Sequence, residues 1–277
     1  MTKMKSIVLI IAFLVSSMGI MAQKSWNPEL KLKKGEVYKY QTTYVGTIVQ
    51  SMGGMDMTME MEGNSDMEIT VASKEKDLYG ISMKITLLNM SMKMPPMMDT
   101  TMMITDMPIS TFTTDKYGNA SKLVVQGEEK QNDFGMNMGS IGGNKTFQEL
   151  PQNAIKTGDK WTSSHIDTTD FMGGSLVNIS NIEYVCGEES KINDYKCLSI
   201  NYISNIENAG STQMQGMDFY IEGTGVQKGI VYIDIKTGLV IKEEITTENA
   251  MIMALSGQQN MTIPITQKFT VNRNLTK

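Results

Sequence analysis

Apolar and polar residues alternate with a period of two along most of this chain, the pattern of strands that bury one face. Val37 to Val45 is rich in β-branched and aromatic residues. Met67-Glu68-Ile69-Thr70-Val71 alternates, and Leu78 to Met94 alternates over a long stretch that puts Ile81, Met83, Ile85 and Leu87 on one face. Leu176 to Cys186, Tyr195 to Ile206, Val226 to Ile235, Leu239 to Glu248 and Ile263 to Val271 repeat the pattern. Gly, Asn and Asp mark the gaps, as at Lys116-Tyr117-Gly118-Asn119 and Lys236-Thr237-Gly238. No long window has the 3.6-residue period of a helix, and one short helix or turn is expected around Phe147 to Ile155. The pattern predicts an all-β fold. The stretch 126–146 has no clear period. It sets Gly135, Gly139, Gly142 and Gly143 beside Phe134, Met136, Met138 and Ile141, and reads either as a flap over a cavity or as a connector.

The pattern breaks at the start. Lys3 and Lys5 precede the apolar run Ile7–Val15, after which come the small residues Ser16, Ser17, Gly19 and Ala22. That is the order of a secretory signal peptide, and the run is too short to span a bilayer. Residues 1–22 are therefore read as a signal peptide, cut after Ala22 or Gly19. The expected destination is the periplasm or the outside of the cell, with a soluble mature chain.

The mature chain reads as two related halves, 24–146 and 147–277. Leu32-Lys33-Lys34-Gly35-Glu36-Val37-Tyr38 opens one, and Ile155-Lys156-Thr157-Gly158-Asp159-Lys160-Trp161 opens the other. Asp115-Lys116-Tyr117-Gly118 stands against Asp234-Ile235-Lys236-Thr237-Gly238 with one residue inserted. The common order and an offset of about 120 residues point to an internal repeat. A curved antiparallel sheet of that size buries one face poorly alone, and two can cover each other.

These segments also carry a resemblance. Leu30 to Tyr38, Leu150-Pro151 with Ile155 to Trp161 after it, and the run Gly229 to Leu239 resemble a family of exported, β-rich bacterial proteins of unknown function. The likeness spans most of the mature chain, and its motifs mark strand starts and turns. It implies an exported β protein and supplies no catalytic residues. More distantly, the architecture resembles periplasmic lipid-carrier proteins, which implies an open barrel around an apolar cavity.

Composition adds methionine, with 27 copies, of which 17 lie between Met52 and Met138. In Met55-Asp56-Met57-Thr58-Met59-Glu60-Met61-Glu62, a strand carries four thioethers on one face and polar groups on the other. Met90, Met92 and Met94 repeat the pattern, and Met97, Met98, Met102 and Met103 come next. Three readings are open. Met55, Met57, Met59, Met61, Met83, Met90, Met92 and Met94 form a closed core face, as in a structural or interaction protein of the cell envelope. Or they line a cavity for a lipid or other apolar small molecule, a use suited to a flexible, polarisable side chain. Or their sulfurs hold Cu(I) or Ag(I).

The remaining chemistry is sparse. Net charge is −5, which disfavours a nucleic-acid partner. The single histidine, His165, shares a strand face with Ser163 and Asp167, but sequence proximity alone does not make a catalytic relay. Glu188-Glu189 and Glu243-Glu244 point to opposite strand faces and read as solvated. No phosphate loop, dinucleotide fingerprint or zinc-ligand spacing occurs, so the chain reads as non-catalytic and without a cofactor. Cys186 and Cys197 flank a turn-rich segment; if their strands form a hairpin in an exported protein, a disulfide is expected. Two free buried thiols or a metal-binding pair are the alternatives.

Overall fold

The structure is a computed structural model, and it describes residues 24–105, 107–121, 123–126, 146–171, 174–214, 217–256 and 261–276. The segment read as a signal peptide and nearly all of the Gly-rich stretch lie outside these residues. Among the described residues the chain forms fourteen strands. In the first half they are β1 (Ser25–Trp26), β2 (Val37–Met52), β3 (Met55–Glu75), β4 (Leu78–Met94), β5 (Met98–Ile104), β6 (Ile109–Asp115) and β7 (Val124–Gln126). In the second half they are β8 (Ile155–Lys156), β9 (Lys160–Phe171), β10 (Gly174–Ile192), β11 (Tyr195–Met214), β12 (Met217–Asp234), β13 (Val240–Ser256) and β14 (Met261–Leu275). Among the described residues there is no helix, so none is long and apolar enough to cross a membrane. The segment expected to be a short helix or turn, around Phe147 to Ile155, is irregular with bends and holds no helix. Pro151 has no N–H to give a helix, and the Leu150 N–H is already donated to the Tyr117 carbonyl at 2.8 Å.

Twelve strands make one antiparallel sheet in the order β7-β6-β4-β3-β2-β14-β13-β12-β11-β10-β9, with β5 also on β4. Among the described residues its two ends do not pair with each other, so the sheet is open. Consecutive long strands are joined by two-residue hairpin loops at 53–54, 76–77 and 193–194. At Gly53-Gly54, for example, both φ angles are positive (62° and 82°), as a two-residue hairpin loop between twisted strands requires. Among the described residues the one long-range join within this sheet is β14 against β2, from Leu275 opposite Tyr40 to Ile265 opposite Gln50. Register shifts between β3 and β4, β10 and β11, and β12 and β13 are bulges, which sharpen local twist. The bulge between Ile85 and Leu87 resets the alternation of β4, so that Leu88 rather than Leu87 is buried.

The packed core lies at one end of these strands. Leu30, Leu32, Ile69, Val71, Ile81, Leu198, Ile200, Val231, Ile233 and Ile241 are almost fully buried there. Each such side chain contributes about 1.5–3 kcal/mol by leaving water. The segments before each half close that end, with Trp26, Leu30 and Leu32 from one and Phe147, Leu150 and Ile155 from the other. Both halves thus feed one core. Tyr40, beneath it, donates its hydroxyl to the Val240 carbonyl at 2.9 Å. Arg273 lies over the Tyr40 ring and pairs with Glu243 at 2.7 Å, with side chains only 10% and 15% exposed.

The repeated sequence segments make the same bonds, offset by 123 residues. Gly35 and Gly158 have φ of 88° and 90°, and each donates its N–H at 2.8 Å to the next strand, at Val71 and Cys186. The N–H of Lys33 reaches the Glu36 carboxylate at 2.9 Å, and that of Lys156 reaches Asp159 at 2.8 Å. The turn at Gly118 meets the backbone of Gln148, and the turn at Gly238 meets that of Glu29.

This packing can be tested at two places. A Cβ at Gly35 or Gly158 meets no atom within 4 Å, so G35A and G158A report backbone strain alone. Each should lower stability by about 1–2 kcal/mol, and by similar amounts, in urea titrations. R273M should cost about 3–5 kcal/mol by leaving Glu243 buried and uncompensated, and the double variant R273M/E243L should recover most of it in the same titration.

Candidate functional site

The alternation of β3 turns Met57, Met59 and Met61 to the core face, half-buried, beyond the packed end. Met90 and Met92 on β4 lie on the same face and are 8% and 3% exposed, while Met94 is half-buried. The register makes this a continuous surface. Met92 is opposite Met61, Met90 is opposite Met102, and Met94 is opposite Met98. None of these belongs to the packed core cluster. Two residues named from sequence lie elsewhere. Met83 is 2% exposed inside that cluster, where Thr146 donates its hydroxyl to the Met83 sulfur at 3.6 Å. Met55 is 73% exposed at a hairpin tip. Sequence reasoning missed Met251, Met253 and Met261 in the second half. Their strand alternation is readable, but their place on the core face depends on the pairing of β13 with β14.

The same face changes character across the seam. Met59 is opposite Ile48, and that row continues through Gln267, Asn249, Gly225, Ile206 and Ser180. Met57 is opposite Gln50, and its row continues through Ile265, Met251, Gly223, Asn208 and Asn178. Thioethers on β3–β5 therefore give way on β10–β14 to a mixture of amides, glycine and apolar side chains, with Ile206, Met251 and Ile265 among them. The β12 glycines let side chains lie flat: a Cβ on Gly225 would sit 1.8 Å from Asn249 Oδ1, and one on Gly223 would sit 2.4 Å from Met251 Cγ.

Nearer the core, a cavity of about 140 Å³ lies between the second half of the sheet and residues 118–120 and 147–149. Tyr184 stacks on Trp161 with centroids 5.2 Å apart and tilts against Tyr202 at 6.0 Å. Burial pushes the hydroxyl pKa of Tyr184 and Tyr202 upward. His165 Nε2 contacts both Ser163 Oγ at 3.2 Å and Glu149 Oε2 at 3.0 Å. A serine relay needs the hydroxyl and the carboxylate on different ring nitrogens, so this arrangement is not one. Asp167 is exposed on the same strand.

The expectation that Glu243 and Glu189 are solvated is corrected. Glu243 lies directly opposite Arg273 and is buried with it. Glu189 accepts from Trp26 Nε1 at 2.8 Å, from Lys196 at 2.8 Å and from Lys24. The lysine and indole hydrogen bonds hold its carboxyl down at about 2.

The disulfide expectation is also corrected, since Cys186 and Cys197 are free and buried. Their strands do form a hairpin, but Cys186 faces Ile200 and Cys197 faces Ser190. At about 3.3 Å per residue this staggers the two Cα atoms by roughly 10 Å, beyond the reach of a disulfide. Burial pushes both thiols up to about 11.

The outward face of the second half carries two open grooves of about 600 and 930 Å³. They run across β10–β14 and on to β2, between rows that include Ile179, Ala209, Val226 and Ile252.

No family model matches the chain, and no curated protein does. Solved structures of outer-membrane channels are weakly similar. A channel from Pseudomonas putida F1 shares 8% identity at a TM-score of 0.28, over 89% of this chain and 97% of that one. OccK2 (OpdF) of Pseudomonas aeruginosa shares 5% at 0.29, over 88% and 100%. OmpF of Salmonella typhi shares 7% at 0.23, over 88% and 99%.

The thiol geometry makes a prediction. The native protein should retain both thiols under air oxidation and leave them unalkylated by iodoacetamide at pH 8. Both should react once the chain is unfolded in urea, as read by intact mass. Thiols buried and raised to about 11 stay protonated at pH 8, and the thiolate is the reactive form.

Proposed function

We propose that this is an exported, non-catalytic protein that holds a lipid or similar apolar molecule against the methionine surface of β3, β4 and β5. The observation that carries this reading is the change of residue type along one sheet face. The packed end is built mainly from Ile, Val, Leu and Tyr, side chains that specify one arrangement, with Met67, Met83 and Met107 among them. Beyond it the same face is methionine, in continuous register across three strands and outside the core cluster. Met adapts its shape to what it touches, which suits a ligand surface better than a core. The opposite face of β3 carries Asp56, Glu60, Glu62, Asp66 and Glu68. Acids at that density are costly against hydrocarbon and favour water on the outward side. The resemblance to exported proteins and the signal-like start support the compartment.

A second reading rests on the cross-strand pairs Met61–Met92, Met90–Met102 and Met94–Met98. Facing thioethers are the ligands that soft Cu(I) or Ag(I) selects.

Native mass spectrometry of the mature protein, purified from its host without detergent, separates these readings. Extra mass of lipid size is expected, and the triple variant M57Q/M59Q/M61Q should lose most of it while keeping its far-UV circular dichroism. Retention of the adduct by that variant would move the site elsewhere. A bare protein that takes up Cu(I) anaerobically would favour the metal reading. A bare protein that takes up neither would overturn both and leave a structural or interaction role.

A further inference from the structure

We infer that the cavity beside the 147–149 connector binds a small organic cation bearing a hydroxyl, its charge against the face of Tyr202 and the carboxylate of Glu149. The site is separate from the methionine surface, and neither reading depends on the other.

The aromatic floor follows from the register. Tyr184 and Tyr202 stand opposite each other on β10 and β11, and Gly229 on β12 continues their row. Glycine leaves the space that the Tyr202 ring fills, since a Cβ there would stand 2.4 Å from both Cε1 and Cζ. The ring therefore lies down over β12, with one face on the Gly229 backbone and the other toward the cavity it lines. Tyr184, stacked on Trp161, and Phe147, tilted against Phe112, form the sides. An upturned aromatic face attracts a cation through its quadrupole, and does so more strongly where water is scarce.

A hydroxyl on that floor lacks a partner. Four tyrosines are buried among the described residues. Tyr40 and Tyr79 donate to backbone carbonyls at 2.9 and 2.8 Å, and the Tyr184 hydroxyl accepts from Ser163 at 3.4 Å. Tyr202 is only 8% exposed, yet among the described residues its hydroxyl has no hydrogen-bond partner. Buried phenols normally find one. The open side of Tyr202 is the cavity, so a hydroxyl on the ligand supplies the acceptor.

Charge sets the sign of the ligand. The lining carries the carboxylates of Glu149, Asp167 and Glu243 against the guanidinium of Arg273, with histidine counted neutral. Arg273 is engaged by Glu243 at 2.7 Å and by the Tyr40 ring. That leaves Glu149, part-buried beside His165, and Asp167, exposed on the same strand as His165. An anion would meet both carboxylates, whereas a cation complements them. At about 140 Å³ the cavity has room for a hydroxyalkylammonium ion of choline's size and is too small for an acyl chain.

Isothermal titration calorimetry of the mature protein at pH 8 tests this with probes of similar shape: choline, its neutral isostere 3,3-dimethyl-1-butanol, and the anion 3,3-dimethylbutanoate. Choline should bind at least tenfold more tightly than either. Phosphocholine should bind more weakly than choline, because its phosphate meets the carboxylates; this arm separates a free cation from a lipid head group. With circular dichroism as the folding check, Y202L should weaken choline binding at least tenfold and E149Q several-fold. Y202F, which keeps the ring face, should lose less than Y202L. An isostere or anion that binds as well as choline overturns the charge assignment, and phosphocholine binding more tightly than choline overturns the free cation. Choline binding unchanged in both Y202L and E149Q overturns the site, as does a protein that binds none of the probes. The wild-type order of the probes needs no variant, so a misfolded substitution does not rescue the inference.

Discussion

The pairing of β14 with β2 is the constraint on which the rest depends. Every other long-strand contact in the sheet is between strands adjacent in sequence or nearly so, and forms locally. This seam alone joins residue 40 to residue 275, and it makes two strand groups one surface. Its far end lies in the core, where Tyr40 hydrogen-bonds Val240 and Arg273 sits over the ring while paired to Glu243. A buried ion pair is a weak source of stability, but it is intolerant of mispairing. A one-residue slip of β14 would turn Arg273 outward and leave Glu243 alone in the interior, so the pair selects the register.

Once that register is set, one face acquires a gradient. Its packed end is aliphatic and aromatic. The middle carries an ion pair, an aromatic stack and a small polar cavity. The outer rows are rich in thioethers on β3–β5, and across the seam they mix Phe219, Ile221, Met251, Met253 and Ile265 with the amides Asn208 and Asn249. The face therefore has direction along the strands and across them. The opposite face is studded with acids on β3 and carries apolar rows with Ile179, Ala209, Val226 and Ile252 on β10–β13.

Several isolated features have structural explanations. His165 ties β9 to the connector through Glu149, and Glu189 ties β1 to β10 through an indole and two ammonium groups. The free cysteines sit on either side of a bulge, where two residues with no direct partner displace one strand against the other. The His165 and Glu189 contacts fasten the segments that cap the core.

The sequence by itself determined the strands, their faces and the turns between them. A period of two, with glycine, asparagine and aspartate at the breaks, is a local property of the backbone and needs no distant partner. The matched bonds at Gly35 and Gly158 were readable for the same reason, since each depends on a few adjacent residues and a positive φ. So was the sidedness of Met57, Met59 and Met61. Only the tertiary structure decided what stands opposite what. Whether Met83 packs in the core or lines a surface, whether Glu243 is solvated or paired, and whether Cys186 reaches Cys197 all depend on register. Register is set by bulges and by one contact 235 residues long in sequence. Alternation assigns a residue to a face, but it cannot say how far along that face the core extends, because that is fixed by the segments that fold back over it.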